Sequence, residues 1–229
     1  MKTRREFSML SVIVLVMMVL SSVSFGVPIT EGFEYDDLTA MGDNGWTYSE
    51  ATSLTTSPVA EGSKALFLDG DNKHTAEKTF FASDQTDITV SFQWYTGSSV
   101  MTSGDAGVIL YDQAGTGIYI VRDVQSGDVK FRLGDDWLVG SFPNTDLNWD
   151  GWNDVEVVYD AAGNADIFIN GIEAMTDLAA GGFIKFQAFR NWSAHASRDV
   201  VIDDIQIVPE PATVALLSLG CLFLRKRRV

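Results

Sequence analysis

The stretch GWNDVEVVYDAAGNADIFINGIEA, residues 151–174, contains the clearest structural pattern in the chain. Apolar residues recur at every second position in 155–159, as they do in a strand with one buried face. The Ala-Gly-Asn sequence at 162–164 predicts a turn before a second short run at 166–169. Asn170-Gly171 then supplies the two positive-φ positions of a type I′ turn. The pattern predicts an antiparallel hairpin that ends in a second tight turn.

Similar short runs continue on both sides of this hairpin. Residues 200–208 repeat the alternation, and β-rich runs also occur at 65–69, 86–95, 107–111, 118–122, 129–133 and 184–190. Turn-forming residues such as Asp69-Gly70 separate them. No convincing helix is present, and residues 174–180 are predicted to form at most a turn or two. Many short strands with regular turns predict an antiparallel sandwich or barrel.

Three stretches resemble one known architecture. Residues 151–174 resemble the hairpin of concanavalin-A-like, laminin-G-like jelly rolls, in which a tryptophan opens a strand and Gly/Asn turns follow. GFEYDDLTAMGDNGW, residues 32–46, and VVIDDIQIV, residues 200–208, resemble the first and last strands of the same domain. The resemblance implies an all-β, two-sheet antiparallel jelly-roll sandwich over residues 27–208. It says little about function, because jelly rolls include lectins, glycanases and inert adhesive modules.

The predicted domain is strongly acidic. Residues 27–208 contain 9 Lys and Arg against 29 Asp and Glu, a net charge of −20, whereas the whole chain carries −15. Such a domain repels nucleic acid and anionic lipid, so no nucleic-acid partner is expected. The only cysteine, Cys221, lies outside the domain. An intramolecular disulfide and a cysteine-based metal site are therefore excluded.

Carboxylates near the two ends of the domain form a candidate cation site. The resemblance implies that Glu34, near the start, meets Asp203 or Asp204, near the end, at a calcium ion. Asp203 and Asp204 point to opposite faces of a strand, so only one of them can reach inside. Ca²⁺ suits the site because it binds several oxygen ligands. A structural Ca²⁺ is the one cofactor expected, and a pair of solvated edge carboxylates is the alternative.

Two tryptophans are candidates for a glycan platform. Trp137 follows Asp136, and Trp149 lies in a similar polar, turn-rich stretch. Exposed indoles stack on the apolar faces of sugar rings while nearby carboxylates bind the hydroxyls. Trp137, Trp149 and Asp136 are therefore the candidate ligand-binding residues, with ordinary partial burial as the alternative. Trp94 and Trp152 are expected in the core, Trp94 from its alternating strand and Trp152 from the resemblance.

No catalytic residue is predicted. Jelly-roll glycanases carry E-x-D-x-x-E on one strand, which places two carboxylates on the same face. Glu-Tyr-Asp at 34–36 begins this motif, but Thr39 stands where the second glutamate belongs. A lyase would need a base within a basic groove, whereas His74 and His195 are isolated in acidic surroundings.

The N-terminal residues have the parts of an export signal. Residues 1–26 contain a basic start, an apolar run and then small residues, so the mature protein is expected to begin near Val27. Arg4-Arg5 also resembles a twin-arginine motif, which leaves the export route open. A retained N-terminal membrane helix is the alternative.

The C-terminal stretch VPEPATVALLSLGCLFLRKRRV, residues 208–229, has three parts in order. Pro209, Glu210 and Pro211 precede an apolar run at 212–224, and Arg225, Lys226, Arg227 and Arg228 follow it. This tail resembles the PEP-CTERM sorting signal of Gram-negative bacteria that make exopolysaccharide. The resemblance implies transient anchoring in the inner membrane, processing by an exosortase, and delivery to the cell surface or extracellular matrix. This 13-residue run is short for a bilayer, and a plain tail anchor is the alternative.

These features predict a signal helix at 1–26, the β-sandwich at 27–208 and a hydrophobic sorting helix at 209–229. The predicted function is non-catalytic: an exported, lectin-like domain that binds or scaffolds extracellular polysaccharide. Two alternatives stay open. One is a glycan-degrading enzyme, a glycanase or lyase with a non-standard site, and the other is a purely structural coat or adhesion protein.

Overall fold

The computed structural model describes residues 27–68, 73–96, 105–122, 126–191 and 200–209. Residues Pro28–Val208 form one compact unit. The helix α1 spans Leu38–Asp43, and a 3-10 turn spans Asn144–Asp146. The strands are β1 Ile29–Glu31, β2 Trp46–Tyr48, β3 Thr52–Thr55, β4 Ala65–Leu68, β5 His74–Thr79, β6 Ile88–Thr96, β7 Asp105–Tyr111, β8 Gly117–Arg122, β9 Val129–Leu133, β10 Asp136–Phe142, β11 Gly151–Tyr159, β12 Asn164–Ile169, β13 Ile172–Ala179, β14 Lys185–Asn191 and β15 Val200–Pro209.

The strands form two antiparallel sheets. The eight-stranded sheet has the order β13-β12-β11-β6-β15-β4-β3, and β1 pairs additionally with β15. The seven-stranded sheet has the order β10-β9-β8-β7-β14-β5-β2. The first and last strands are neighbours, with Ile29 opposite Ile207. The predicted all-β, two-sheet jelly-roll sandwich is confirmed.

A single large hydrophobic core fills the space between the sheets. Alternate residues of β6 are buried, including Trp94, as its strand pattern predicted. Phe92 of the same strand meets Phe186 of the opposite sheet edge-on, with ring centroids 5.3 Å apart. Each such side chain contributes about 1.5–3 kcal/mol when it is fully buried. Packing of this kind holds the sandwich together without a disulfide.

The hairpin at 151–174 forms as its pattern predicts. β11 pairs with β12 from Val155 opposite Ile169 to Tyr159 opposite Ala165. Asn170 and Gly171 have φ values of 53° and 73°. Both lie in the left-handed region that a type I′ turn requires.

The expectation that Trp152 lies in the core is wrong. Trp152 is half-buried on the outer face, where its ring centroid lies 5.5 Å from that of Tyr95. The neighbouring Asn153 takes the inward position and is fully buried. Its side chain accepts a hydrogen bond from the backbone N–H of Asn148 at 2.8 Å and donates one to the hydroxyl of Thr96 at 2.9 Å. These hydrogen bonds make a buried amide tolerable at this position.

Two secondary-structure predictions also need correction. Residues 174–180 belong mainly to β13, an edge strand paired with β12, rather than to a helical turn. The helix α1 has no counterpart among the predicted elements, although Asp37 caps it by accepting a hydrogen bond from the backbone N–H of Ala40 at 2.9 Å. Local sequence preference was a poor guide in both cases. Pairing with β12 makes 174–180 mainly a strand, and a single side-chain cap starts the short helix α1.

The predicted export signal, residues 1–26, lies outside the described residues, as do Glu210, Pro211, Arg225, Lys226, Arg227 and Arg228 of the predicted sorting signal. Pro209 ends β15. Both terminal signals stay predictions. Within the described part of the chain, no helix has the length and apolar character needed to cross a membrane.

Candidate functional site

Side chains from six strands line up across the outer face of the seven-stranded sheet. Each member is directly opposite the next in the strand register, so all of them project from the same face. The row, which we call the cross-strand row, consists of Trp137, Arg132, Tyr119, Ile109, Gln187 and Glu77. With strands about 4.8 Å apart, it spans roughly 24 Å. It forms one elongated surface across the sheet.

The β10 end of the row is aromatic and cationic. Trp137 is 52% exposed, the most exposed of the large aromatic side chains described. The guanidinium carbon of Arg132 lies 3.9 Å from the ring centroid of Tyr119 and 5.9 Å from that of Trp137. Its acidic neighbour Asp135 lies 4.0 Å away and is fully exposed, so that ion pair is weak. The two rings position the Arg132 guanidinium.

The β5 end of the row is a closed polar network. Glu77 accepts hydrogen bonds from Lys185 at 3.2 Å and from the Gln187 side-chain amide at 2.5 Å. The hydroxyl of Tyr111 donates to the Gln187 side-chain oxygen at 3.1 Å. Burial, together with the neighbouring Tyr119, raises the pKa of Tyr111 to about 12. Tyr111 therefore keeps its proton and this hydrogen bond to a higher pH than an ordinary tyrosine would.

An apolar floor separates the two ends. Ile109, Val121 and Phe189 form a small buried cluster of their own on this face, and Tyr119 packs against it with its ring 6.2 Å from that of Phe189. Gly107 lies among them, where an added Cβ would come within 2.0 Å of a backbone oxygen of β8. Above the floor is a shallow depression of about 220 Å³, into which Lys73 and Arg190 also reach. The surface combines an exposed indole, the apolar floor and several polar side chains, as small-ligand sites do.

The structure separates the two predicted platform tryptophans. Asp136 and Trp137 are adjacent in β10, where Asp136 is exposed. Trp149 instead donates a hydrogen bond from its indole nitrogen to the backbone oxygen of Asn144 at 2.8 Å. Its ring lies 4.4 Å from the guanidinium carbon of Arg122, at the end of β8 away from the cross-strand row. Trp149 is thus a packing residue of the 144–149 loop.

Glu34 and Asp203, the predicted cation ligands, both bind one loop. Glu34 accepts hydrogen bonds from the backbone N–H of Ser63 at 2.6 Å, from the Ser63 hydroxyl at 2.5 Å and from the backbone N–H of Lys64 at 3.0 Å. These hydrogen bonds lower the pKa of Glu34. Asp203 is fully buried and accepts from the backbone N–H groups of residues 60 and 61 at 2.9 and 3.1 Å. The two carboxylates together fix the 60–64 loop.

Asp204 does not join this pair. Its φ is 46°, and its carboxylate accepts hydrogen bonds from Gln206 on the outer face of the eight-stranded sheet. Burial raises the pKa of Asp203 despite its N–H donors. No group of three or more His, Cys, Asp or Glu side chains suited to a metal occurs among the described residues. A Ca²⁺ ion at Glu34 and Asp203 would take its other oxygens from the backbone or water, and the calcium site stays a prediction.

The sequence analysis singled out Trp137 but not the residues around it, and Asp136, the neighbouring residue in β10, projects from the opposite face of the strand. Arg132, Tyr119 and Phe189 all lie in strands that were predicted, on the positions that alternate with buried residues. Polar or aromatic residues on the outward positions of several strands were the available signal. The sequence did not indicate which strands are neighbours in the sheet, because paired strands such as β14 and β5 come from distant parts of the chain.

Comparison with known proteins gives the fold and no family. No family model matches the chain, and no curated protein matches it. Solved structures do match. One comes from work on endo-acting O-glycanases that prominent members of the human gut microbiota express to initiate mucin breakdown; it has 7% identity, a TM-score of 0.59, and coverage of 79% of this chain and 98% of that one. The chain has the jelly-roll sandwich fold.

Two further matches support the same architecture. The cellulose-induced protein Cip1 has 17% identity and a TM-score of 0.57, with 79% of this chain and 97% of that chain covered. The binding domain of botulinum neurotoxin serotype D has 11% identity and a TM-score of 0.54, with 72% of this chain and 42% of that chain covered. At these identities the likeness establishes the fold alone.

Proposed function

We propose that the protein binds a polysaccharide segment along the cross-strand row and does not cleave it. The observation that carries this proposal is the 52% exposed Trp137, held beside Arg132 at one end of the row. An exposed indole can stack on the apolar face of a sugar ring, while the polar groups beside it bind the hydroxyls. The roughly 24 Å length of the row suits several consecutive sugars.

The architecture is compatible with glycan recognition. The botulinum neurotoxin serotype D ligand binding domain in complex with N-acetylneuraminic acid matches at 12% identity and a TM-score of 0.53, with 72% of this chain and 42% of that chain covered. That ligand belongs to the toxin domain. For this chain, the match supports the class of ligand, and the cross-strand row supplies the candidate surface.

The row is poorly equipped for hydrolysis. Glycosidases use two carboxyl groups about 5–10 Å apart, one of them free to donate a proton. Glu77 is the one carboxylate in the row, and Lys185 and Gln187 already bind it. His74 is buried beside the hydroxyl of Ser49 at 3.2 Å. A glycan-degrading enzyme is the second candidate, favoured by the O-glycanase study among the structural matches.

Binding to an array of bacterial and plant glycans, followed by calorimetry on the best ligand, tests the proposal. Trp137→Ala should lower the affinity about tenfold, because stacking on one indole contributes on the order of 1.4 kcal/mol. Ile172→Ala is the matched control, since Ile172 is 47% exposed on the other sheet. Equal losses in the two variants, or no glycan bound at all, would refute the assignment. New reducing ends or unsaturated products would establish the enzyme instead.

We also propose that the protein is exported and sorted to the cell surface or extracellular matrix. The support is the sequence pattern of residues 1–26 and of the tail at 209–229, which implies an exosortase as a transient partner at the inner membrane. Intact-mass measurement of the protein recovered from its host tests this. Loss of the residues after Pro211 is expected, whereas a full-length C-terminus would contradict it.

A further inference from the structure

The two sheets differ sharply in charge. In the residues that the structure describes, the strands of the eight-stranded sheet contain no Lys or Arg and eight acidic residues: Glu31, Asp154, Glu156, Asp166, Glu173, Asp177, Asp203 and Asp204. The strands of the seven-stranded sheet contain six basic residues, Lys78, Arg122, Lys130, Arg132, Lys185 and Arg190, against three acidic residues, Glu77, Asp105 and Asp136. A chain with a net charge of −15 thus concentrates its cations in one sheet.

Depressions on the two outer faces show the same contrast. The depression over the cross-strand row is lined by Lys73, Arg132 and Arg190, and none of its described lining residues is a carboxylate. A depression of about 370 Å³ on the eight-stranded sheet is lined by three carboxylates, including Asp154 and Glu156, and none of its described lining residues is a cation. The charged residues among the described lining of the first depression are therefore all basic, although Glu77 lies further along the cross-strand row and Asp135 lies beside Arg132.

We infer that the ligand of the cross-strand row is an anionic glycan, whose sugars carry carboxylate or sulfate groups. The inference rests on the proposed function and names its ligand class. Trp137 would stack on a ring, while Arg132 beside it would bind the ring's acidic group with two parallel hydrogen bonds. The exposed Lys73 would meet a further charge along the chain.

The net negative charge of the domain does not prevent this. At 0.1 M salt the Debye length is about 10 Å, close to the distance between two packed sheets. Acids on the outer face of the eight-stranded sheet lie at least that far behind the cross-strand row and are largely screened. Arg132 in the row and Lys73 in the depression would act on a ligand at contact distance, so salt screens them much less. Affinity for an anionic glycan should therefore be highest at intermediate salt, since the whole-domain repulsion grows at very low salt.

Binding measurements with three polysaccharides test the ligand class. They are polygalacturonate, which carries carboxylates, its fully methyl-esterified and therefore neutral form, and a sulfated galactan. The full-length chain in a mild nonionic detergent should bind polygalacturonate or the sulfated galactan at least tenfold more tightly than the ester. Arg132→Gln should lower anionic-glycan affinity about tenfold, as expected for one charged hydrogen-bonded contact, and should lower affinity for the ester by a clearly smaller factor. Asp154→Asn on the other face is the matched control and should have little effect.

The outcomes distinguish this inference from the proposed function. Equal binding of the ester and the acid would overturn the anionic class and keep the glycan site. Absence of binding to every glycan would overturn both. Equal competition by single-stranded DNA would make the row a general polyanion surface and refute glycan recognition. The chain could instead self-associate with increasing concentration, and both Arg132→Gln and Asp154→Asn could abolish that association. This result would identify a second copy of this chain as the occupant of the row and would also refute glycan recognition.

Discussion

Replacing Glu31 should weaken the link between the two sheets. Glu31 lies in β1 of the eight-stranded sheet and is 6% exposed. It accepts hydrogen bonds from Trp46 at 3.1 Å and from Lys78 at 2.8 Å, both in the opposite sheet. The Tyr35 hydroxyl at 2.6 Å and the backbone N–H of Phe33 at 3.1 Å complete the set. One carboxylate therefore satisfies four buried or half-buried donors.

The structure sets the size of the effect. Glu31→Gln keeps the shape but turns one oxygen into an NH₂ group, which must face at least one donor. Hydrogen bonds to a charged group contribute about 1.5–3 kcal/mol each, against about 1 kcal/mol for neutral ones. We expect a loss of about 3 kcal/mol in the free energy of unfolding, since the Lys78 ammonium also loses its counter-charge. For a domain of this size, that corresponds to a fall of roughly 10 °C in Tm.

The pH dependence gives a second signature. Burial alone would raise the pKa of Glu31, but the hydrogen bonds from Lys78, Tyr35 and Trp46 outweigh it and hold the pKa below 4.5. The native state therefore binds fewer protons than the unfolded state near this pH, so the stabilisation is present above pH 4.5 and lost as the pH falls through the lowered pKa. The difference between wild type and Glu31→Gln should shrink as the pH falls below 4.5.

Urea unfolding at pH 7 and pH 3.5 measures both effects. Glu173→Gln is the control, because Glu173 is an exposed carboxylate on the edge strand β13. The double variant Glu31→Gln/Lys78→Met should be less destabilised than the sum of the two single variants, since it leaves no unpaired ammonium. A Glu31→Gln variant as stable as the Glu173 control at pH 7 would refute the reasoning.

Three further predictions follow from the loops and turns. Trp149→Ala should lower the free energy of unfolding by about 3 kcal/mol in chemical denaturation and leave glycan affinity unchanged, whereas a loss of affinity in the folded variant would return Trp149 to the binding surface. Ca²⁺ should raise the Tm above its value in EDTA, and folded Glu34→Gln and Asp203→Asn variants should lose that shift; identical melting curves in Ca²⁺ and EDTA would reject the cation. Gly171→Ala should cost about 1 kcal/mol in thermal unfolding because of the positive φ at this turn, and an unchanged Tm would argue against the type I′ geometry.

Much of the fold was predictable because its strands are locally encoded. Alternation in 155–159 and 200–208 gave strands whose inward residues form the core, and Asn170-Gly171 gave the hairpin. β13 was not predictable, since its sequence does not favour a strand and pairing with β12 decides its conformation. Trp152 was misplaced because the resemblance put it in the core, whereas the alternation that buries Val155 and Val157 continues to the hydrogen-bonded Asn153.

The candidate site was predictable only in part. Trp137 stood out by its residue type and polar neighbours, but Trp149 has the same features and lies against Arg122, away from the cross-strand row. The difference lies in the long-range arrangement. Arg132 and Tyr119 meet Trp137 through strand register, while Arg122 covers Trp149 at the other end of β8. Register across several strands depends on the whole topology, which no short motif contains.

The position of β15 has a consequence for how the chain can be delivered. β15 lies between β6 and β4 and also pairs with β1, so the final strand joins parts of the sheet that were synthesised long before it. Before β15 has been synthesised, no strand pairs β6 with β4. The strands β13-β12-β11-β6 and the strands β4-β3 then remain two separate parts of the sheet. The eight-stranded sheet therefore cannot be completed in order from the N-terminus, and it stays open until β15 is available.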